Sequence, residues 1–154
     1  MAVIEQEQRN RIPILEQTQM IEQIVEKIKD FEQLKGYDIL VNMSDSSKDC
    51  ISFYLMDSSA KDRVFIDGSY EAHIAFRVIL QKKYMSTNEE VLENIDILNQ
   101  LGFYLEHLDK MQIKEYNIYQ IEQTSIARPS NQVQDGTRFV SAEYRIKYKN
   151  NKER

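Results

Sequence analysis

Apolar positions recur three and four apart from Ile14 through Met20, Ile21, Ile24, Ile28 and Phe31 to Leu34. That spacing predicts one amphipathic helix over about 14–35. Pro13 suits its entry, where the missing N–H has no partner to lose, and Gly36 is the predicted stop. Strand-like patterns follow. Residues 37–41 form a short extended run, and in 50–56 Ile51, Phe53 and Leu55 alternate with Cys50, Ser52 and Tyr54. Residues 57–62 read as a turn or loop. Val64-Phe65-Ile66 then leads into Asp67-Gly68-Ser69, a turn signal because glycine accepts positive φ. The longest strand pattern runs over 70–84. Tyr70, Ala72, Ile74, Phe76, Val78 and Leu80 share one face, and Glu71, His73, Ala75, Arg77 and Ile79 share the other. Ala75 and Ile79 make that second face only half polar, so a helix or a partner is expected to cover that end.

A second helix is predicted up to about residue 108. Thr87 and Glu90 match a capping box, and Val91, Leu92, Ile95, Leu98, Leu101 and Leu105 supply its stripe. Gly102 inside it costs about 1 kcal/mol of propensity against Ala, which predicts close packing there. Two more extended segments, 116–126 and 138–148, are joined by a polar connection through Arg128-Pro129 and Asp135-Gly136. The order is helix, three or four strands, helix, two strands. This predicts an α+β fold, a small mostly antiparallel sheet packed against two helices. Residues 1–13 read as a polar extension, 14–149 as a single domain and 150–154 as a basic tail.

Composition changes the picture by exclusion. The 154 residues carry a net charge of -5, which disfavours a strongly basic nucleic-acid binder. One cysteine, Cys50, can make neither an internal disulfide nor, alone, a zinc site. The apolar runs fall far short of the roughly 18 residues of a membrane span, and the start of the chain carries no secretory-leader pattern. No membrane association is therefore expected. The charge is uneven: residues 1–137 are net -9 and residues 138–154 net +4.

Signals for catalysis are weak. His73 and His107 stand outside any motif, and the chain has no phosphate loop, zinc-protease helix or nucleophile elbow. Asp45/Asp49 and Asp57/Asp62 lack the ligand density of a calcium loop. No catalytic residue, cofactor or metal is expected. The second helix is different: Glu89, Glu90, Glu93, Asp96, Glu106 and Asp109 are accompanied by no Lys or Arg between 85 and 109. Glu89 and Glu93 are a like-charge pair four apart, which does not help the helix. Glu89, Glu90, Glu93, Asp96 and Asp135 are thus candidates for a partner or channel surface. Arg138, Arg145 and Lys147, on the last strand, are candidates for an inter-subunit surface.

Val64-Phe65-Ile66-Asp67-Gly68-Ser69-Tyr70 followed by Ala72-His73-Ile74-Ala75-Phe76 resembles a segment of the small tail-terminator proteins of long-tailed bacteriophages, a group also called minor capsid proteins. Ile126-Ala127-Arg128-Pro129-Ser130, the Asp135-Gly136 turn and Phe139-Val140-Ser141-Ala142-Glu143-Tyr144 resemble that group's closing segment. The order of elements over about 14–149 is similar too. The resemblance implies a structural, non-enzymatic protein of the virion, assembled in the host cytoplasm. It would form a homo-oligomeric ring, usually hexameric, at the head-proximal end of the tail. Its partners would be the tail tube protein and a head-completion protein, with DNA passing through an acidic channel without specific binding. The alternatives are a head-completion or connector protein of the neck, and a non-viral α+β adaptor that binds a basic protein through the 85–109 helix.

Overall fold

The computed structural model describes residues 11–43, 48–82, 88–108, 111–113, 116–129 and 139–151. The elements are α1 (Ile14–Ile28), a 3-10 turn (Glu32–Leu34), β1 (Asp38–Val41), β2 (Cys50–Leu55), β3 (Ala60–Val64), β4 (Tyr70–Gln81), α2 (Asn88–Glu106), β5 (Met111–Ile113), β6 (Tyr116–Gln123), β7 (Arg128–Pro129) and β8 (Phe139–Asn150). The two 12-residue strands β4 and β8 pair antiparallel along their whole length and form the spine of one sheet. On the outer edge of β4, β3 pairs with its first half and β2 with its second. On the outer edge of β8, β7 pairs near its start and β6 further along. β1 and β5 complete the sheet. The result is an α+β fold with two helices and a mixed, mostly antiparallel sheet.

One pairing departs from antiparallel. β1 runs parallel to β2, with Asp38 opposite Cys50 and Val41 opposite Phe53. A parallel pair usually needs a long crossover. Here only four residues overlap, so a connection much shorter than a usual crossover suffices. Asn42 makes the turn at positive φ (55°), a conformation asparagine tolerates. Its side-chain oxygen accepts the Leu55 N–H at 3.1 Å.

The core lies between the helices and one sheet face. Ala72, Ile74, Phe76, Val78 and Leu80 of β4 are buried there, beside Val140, Ala142, Tyr144, Ile146 and Tyr148 of β8. Phe76 and Tyr144 stack with centroids 5.4 Å apart. From the helices, Met20, Ile21, Ile24 and Ile28 meet them on α1, and Leu98, Leu101 and Leu105 on α2. The Tyr144 hydroxyl crosses the layer to donate to the Leu98 carbonyl at 2.7 Å.

Several expectations are corrected. The first helix ends at Ile28 and not near 35, because Phe31 is extended (ψ 110°) and its ring packs 5.2 Å from that of Tyr104. Phe31 and Leu34 still reach the core, from a turn. Ile14, placed on the apolar stripe, is 70% exposed, as is Leu15, whereas Glu16 and Gln17 are buried. β3 begins at Ala60, inside the segment expected to be a loop. β5 and β7 have no counterpart among the expected strands; Pro129 is tolerated because β7 is a two-residue edge strand. β8 extends to Asn150, two residues past the expected strand 138–148. Both helices cover the same face, so neither lies over Ala75 and Ile79; Ser59 instead receives the Ala75 N–H at 2.9 Å.

Candidate functional site

The uncovered sheet face is a lattice of charges. Register sets Glu71 opposite Lys149, His73 opposite Lys147, Ala75 opposite Arg145 and Arg77 opposite Glu143. Arg77 donates to Glu143 at 2.9 Å. Arg145 and Lys147, the inter-subunit candidates, both turn to Glu122 of β6: Arg145 Nε donates to Glu122 Oε1 at 2.8 Å, and Lys147 Nζ lies 3.7 Å from the same oxygen. The hydrogen bonds from Arg145, followed by the positive charges beside it, hold the Glu122 carboxyl below its ordinary range. Part of the charge on Arg145 and Lys147 is therefore met within the chain. Arg138 lies outside the described residues, as does Asp135.

Two β-bulges shape this face. Between Lys61 and Arg63 the pairing of β3 with β4 shifts by one residue. The extra residue, Asp62, turns to His73, whose Nδ1 lies 2.8 Å from its carboxyl. His73 Nε2 faces the Ser58 carbonyl oxygen at 2.8 Å. A carboxylate on one imidazole nitrogen is half of a general-base arrangement. The second nitrogen, though, meets a backbone carbonyl and no nucleophilic hydroxyl, so the ring pins β3 and the turn before it to β4. In β6 the pairing shifts between Ile118 and Gln120 and displaces Tyr119, which is 47% exposed.

The acidic helix occupies the other side of the molecule. Glu89, Glu93 and Asp96 are exposed and Glu90 is half-buried. Asp96 accepts the Gln100 side-chain N–H at 2.6 Å. Leu92, placed by its spacing on the buried stripe, is 63% exposed among these carboxylates. The core-facing positions are Val91, Asn94, Leu98, Leu101, Gly102 and Leu105. Near the helix end, exposed Phe103 stacks on His107 at 4.0 Å, and His107 Nδ1 lies 2.8 Å from the Phe103 carbonyl oxygen. Thr87 and Asp109 lie outside the described residues.

Glu16 is a residue that the sequence reading missed. It is 5% exposed. Tyr70 donates to its two oxygens at 2.6 and 2.5 Å, Asn150 donates to it at 2.8 Å, and the Tyr148 hydroxyl donates to it as well. Asn150 also donates to the Tyr70 hydroxyl at 2.9 Å. The cluster ties the first turn of α1 to the start of β4 and the end of β8. Burial first, then the bond to Glu16, push both tyrosines above their ordinary pKa. In sequence Glu16 looks like a favourable first-turn acid and nothing more. Its partners lie 54 and more residues away along the chain.

Surface relief is open. One groove of about 760 Å³ runs between the start of α1 and the β2–β3 turn, against Ile12, Gln17, Leu55 and Met56. A second of about 370 Å³ lies between the two helices at Phe31, Phe103 and Tyr104. Cys50 is fully buried with Sγ 4.0 Å from the Ser52 hydroxyl. Among the described residues no His, Cys, Asp and Glu converge as a metal-binding group, and no helix is long and apolar enough to cross a membrane. No family model and no curated protein matches the chain.

Proposed function

We propose that this chain is a structural, non-enzymatic subunit that caps the head-proximal end of a phage tail tube as a ring, stops tube polymerisation and joins the tail to the head. The reading starts from the resemblance of its strand and turn segments to tail terminators, and the α+β layering is compatible with it. The observation that carries it furthest is the pair of unlike faces. The exposed carboxylates of α2 lie on the helix side of the layer, and the mixed lattice with Arg77, Arg145, Lys147 and Lys149 lies on the other. Subunits that repeat head to tail need two such different patches, and a ring results where the rotation closes. Carboxylates that the neighbouring subunit leaves uncovered would keep DNA from adhering as it passes through the channel. The tube protein and a head-completion protein are then the neighbours above and below, in a virion assembled in the host cytoplasm.

Negative-stain imaging of the purified protein, with and without tail tubes, tests this directly. Rings with a central pore, and tubes that stop growing once capped, are the expected result. A stable monomer that neither assembles nor caps tubes overturns it.

A further inference from the structure

We infer that a second copy of this chain docks end to end on the first, the β3–β4 turn of one protomer seating through Ile66 on the outer face of the next protomer's α2 around Leu92. The inference rests on the ring reading above and names the contact such a ring would use.

Ile66 is fully exposed at the tip of the turn, and Val64 beside it is 54% exposed. The turn is stiff. Asp67 Oδ1 accepts both the Ser69 N–H at 2.9 Å and the Ser69 hydroxyl at 2.6 Å, and the Phe65 and Ser69 backbones bond at 2.8 Å. Gly68 sits at φ 90°, where a side chain would be strained. A rigid turn presents an isoleucine with little further loss of entropy on binding. Cations flank the turn, which also carries the exposed carboxylate of Asp67. Lys61 stands 4.3 Å over the Tyr70 ring, and Arg63 and Lys149 lie about the Phe65 ring at 5.2 and 5.0 Å. Among the described residues none of the three has an ion-pair partner within 4 Å.

The complement is on α2. Leu92 is 63% exposed between Glu89, Glu93 and Asp96, and the helix holds no Lys or Arg. Apolar centre and opposite charge thus match between the two patches. Like with like does not on the helix side: helix against helix sets carboxylates together.

The patches lie at opposite ends of the molecule. The 12-residue β4 starts at the turn and spans roughly 36 Å to Gln81. The Leu92 end of α2 is beside Gln81. Asn94 accepts the Tyr37 hydroxyl at 3.4 Å, and the next residue, Asp38, aligns with Cys50, which is itself opposite Gln81. Patches so far apart cannot meet within one chain, and between copies they give a heterologous, repeating contact.

Mixing Ile66→Cys chains with Leu92→Cys chains under mild oxidation is expected to yield cross-linked pairs, while neither variant links to itself. Ile66→Asp is expected to weaken association about 30-fold by sedimentation velocity, the scale of losing a central interface side chain. Arg63→Glu weakens it too, and adding Glu93→Arg restores it. Thermal melting by circular dichroism checks that these surface variants fold. Association untouched by Ile66→Asp, or self-linking of Ile66→Cys chains, overturns the contact, and rings on tubes would then leave the capping reading standing. Cross-linked Ile66–Leu92 assemblies that never cap tubes support the contact and defeat that reading. Wild-type protein that stays monomeric at every concentration and on tubes overturns both.

Discussion

The side chain of Gln123 fills the space beside Gly102: a methyl group at Gly102 would stand 2.0 Å from Gln123 Oε1 and 3.1 Å from its Cβ. Gln123 cannot simply swing away. Its amide donates to Asn99 at 2.8 Å and to the Ser125 carbonyl at 2.9 Å, fastening α2 to the end of β6. Gly102→Ala therefore sets a propensity gain of about 1 kcal/mol against crowding of about 1–3 kcal/mol and two strained hydrogen bonds. A net loss of about 1–2 kcal/mol is expected in urea unfolding. In a Gln123→Ala background only the 3.1 Å contact with Cβ remains, and the loss caused by Gly102→Ala is expected to shrink. Equal effects in the two backgrounds would mean that the two side chains do not compete for this space.

Glu16 is expected to behave as a keystone of the α1 docking. Glu16→Ala leaves the Tyr70 and Tyr148 hydroxyls and the Asn150 amide buried without their shared acceptor, a loss of about 3 kcal/mol or more. Glu16→Gln keeps one acceptor oxygen and should lose less. Chemical denaturation of both variants, with hydrogen exchange over α1, measures the difference. Glu16→Ala at wild-type stability would show that the cluster contributes nothing net.

These two contacts mark where sequence reading succeeds and where it stops. Close packing at Gly102 is legible because an interior glycine costs a helix and needs a reason. The faces of β4 are legible because period-two patterning on a long central strand is strong: Ile74, Phe76, Val78 and Leu80 do fall on the core side. The phase of β6 is not, because the bulge at Tyr119 changes the buried spacing from Tyr116 and Ile118 to Ile121. β1–β2 parallel pairing has no local signature, and the Glu16 cluster joins residues from three distant segments. The surface residues Glu89, Glu93, Asp96, Arg145 and Lys147 were visible as charges. That Arg145 and Lys147 share Glu122 depends on register, which charge patterning does not encode.

Alkaline pH should loosen the fold through the same tyrosines. Tyr70 and Tyr148 have folded-state pKa values raised above the ordinary value of about 10, by burial first and then by the bond to Glu16. A raised folded pKa contributes stability that is fully present below the unfolded pKa and is lost as pH climbs above it. Stability is therefore expected to hold to about pH 10 and decline beyond. Tyr148→Phe should be less stable at neutral pH, by about 1–2 kcal/mol, yet show a shallower alkaline decline. Urea midpoints measured from pH 8 to 11.5 decide it; parallel curves for the variant and the wild type would refute the assignment.

Acid should act through the open face. The hydrogen bonds from Arg145 hold Glu122 below its ordinary pKa, with the charges of Arg145 and Lys147 adding to them. A depressed folded pKa contributes stability that is present above the unfolded value, about 4.3, and is lost as pH falls through the folded one. The pair is partly exposed, with side chains 37% and 25% accessible, so solvent screening keeps its value to about 0.5–1 kcal/mol at neutral pH. Glu122→Gln is expected to be less stable by that amount at pH 7, with the gap narrowing as pH falls below about 4. Salt should narrow it as well, since exposed charges are screened at high ionic strength. A gap unchanged between pH 7 and pH 3 would assign the contribution of Glu122 to packing and leave Arg145 and Lys147 electrostatically free for a neighbouring molecule.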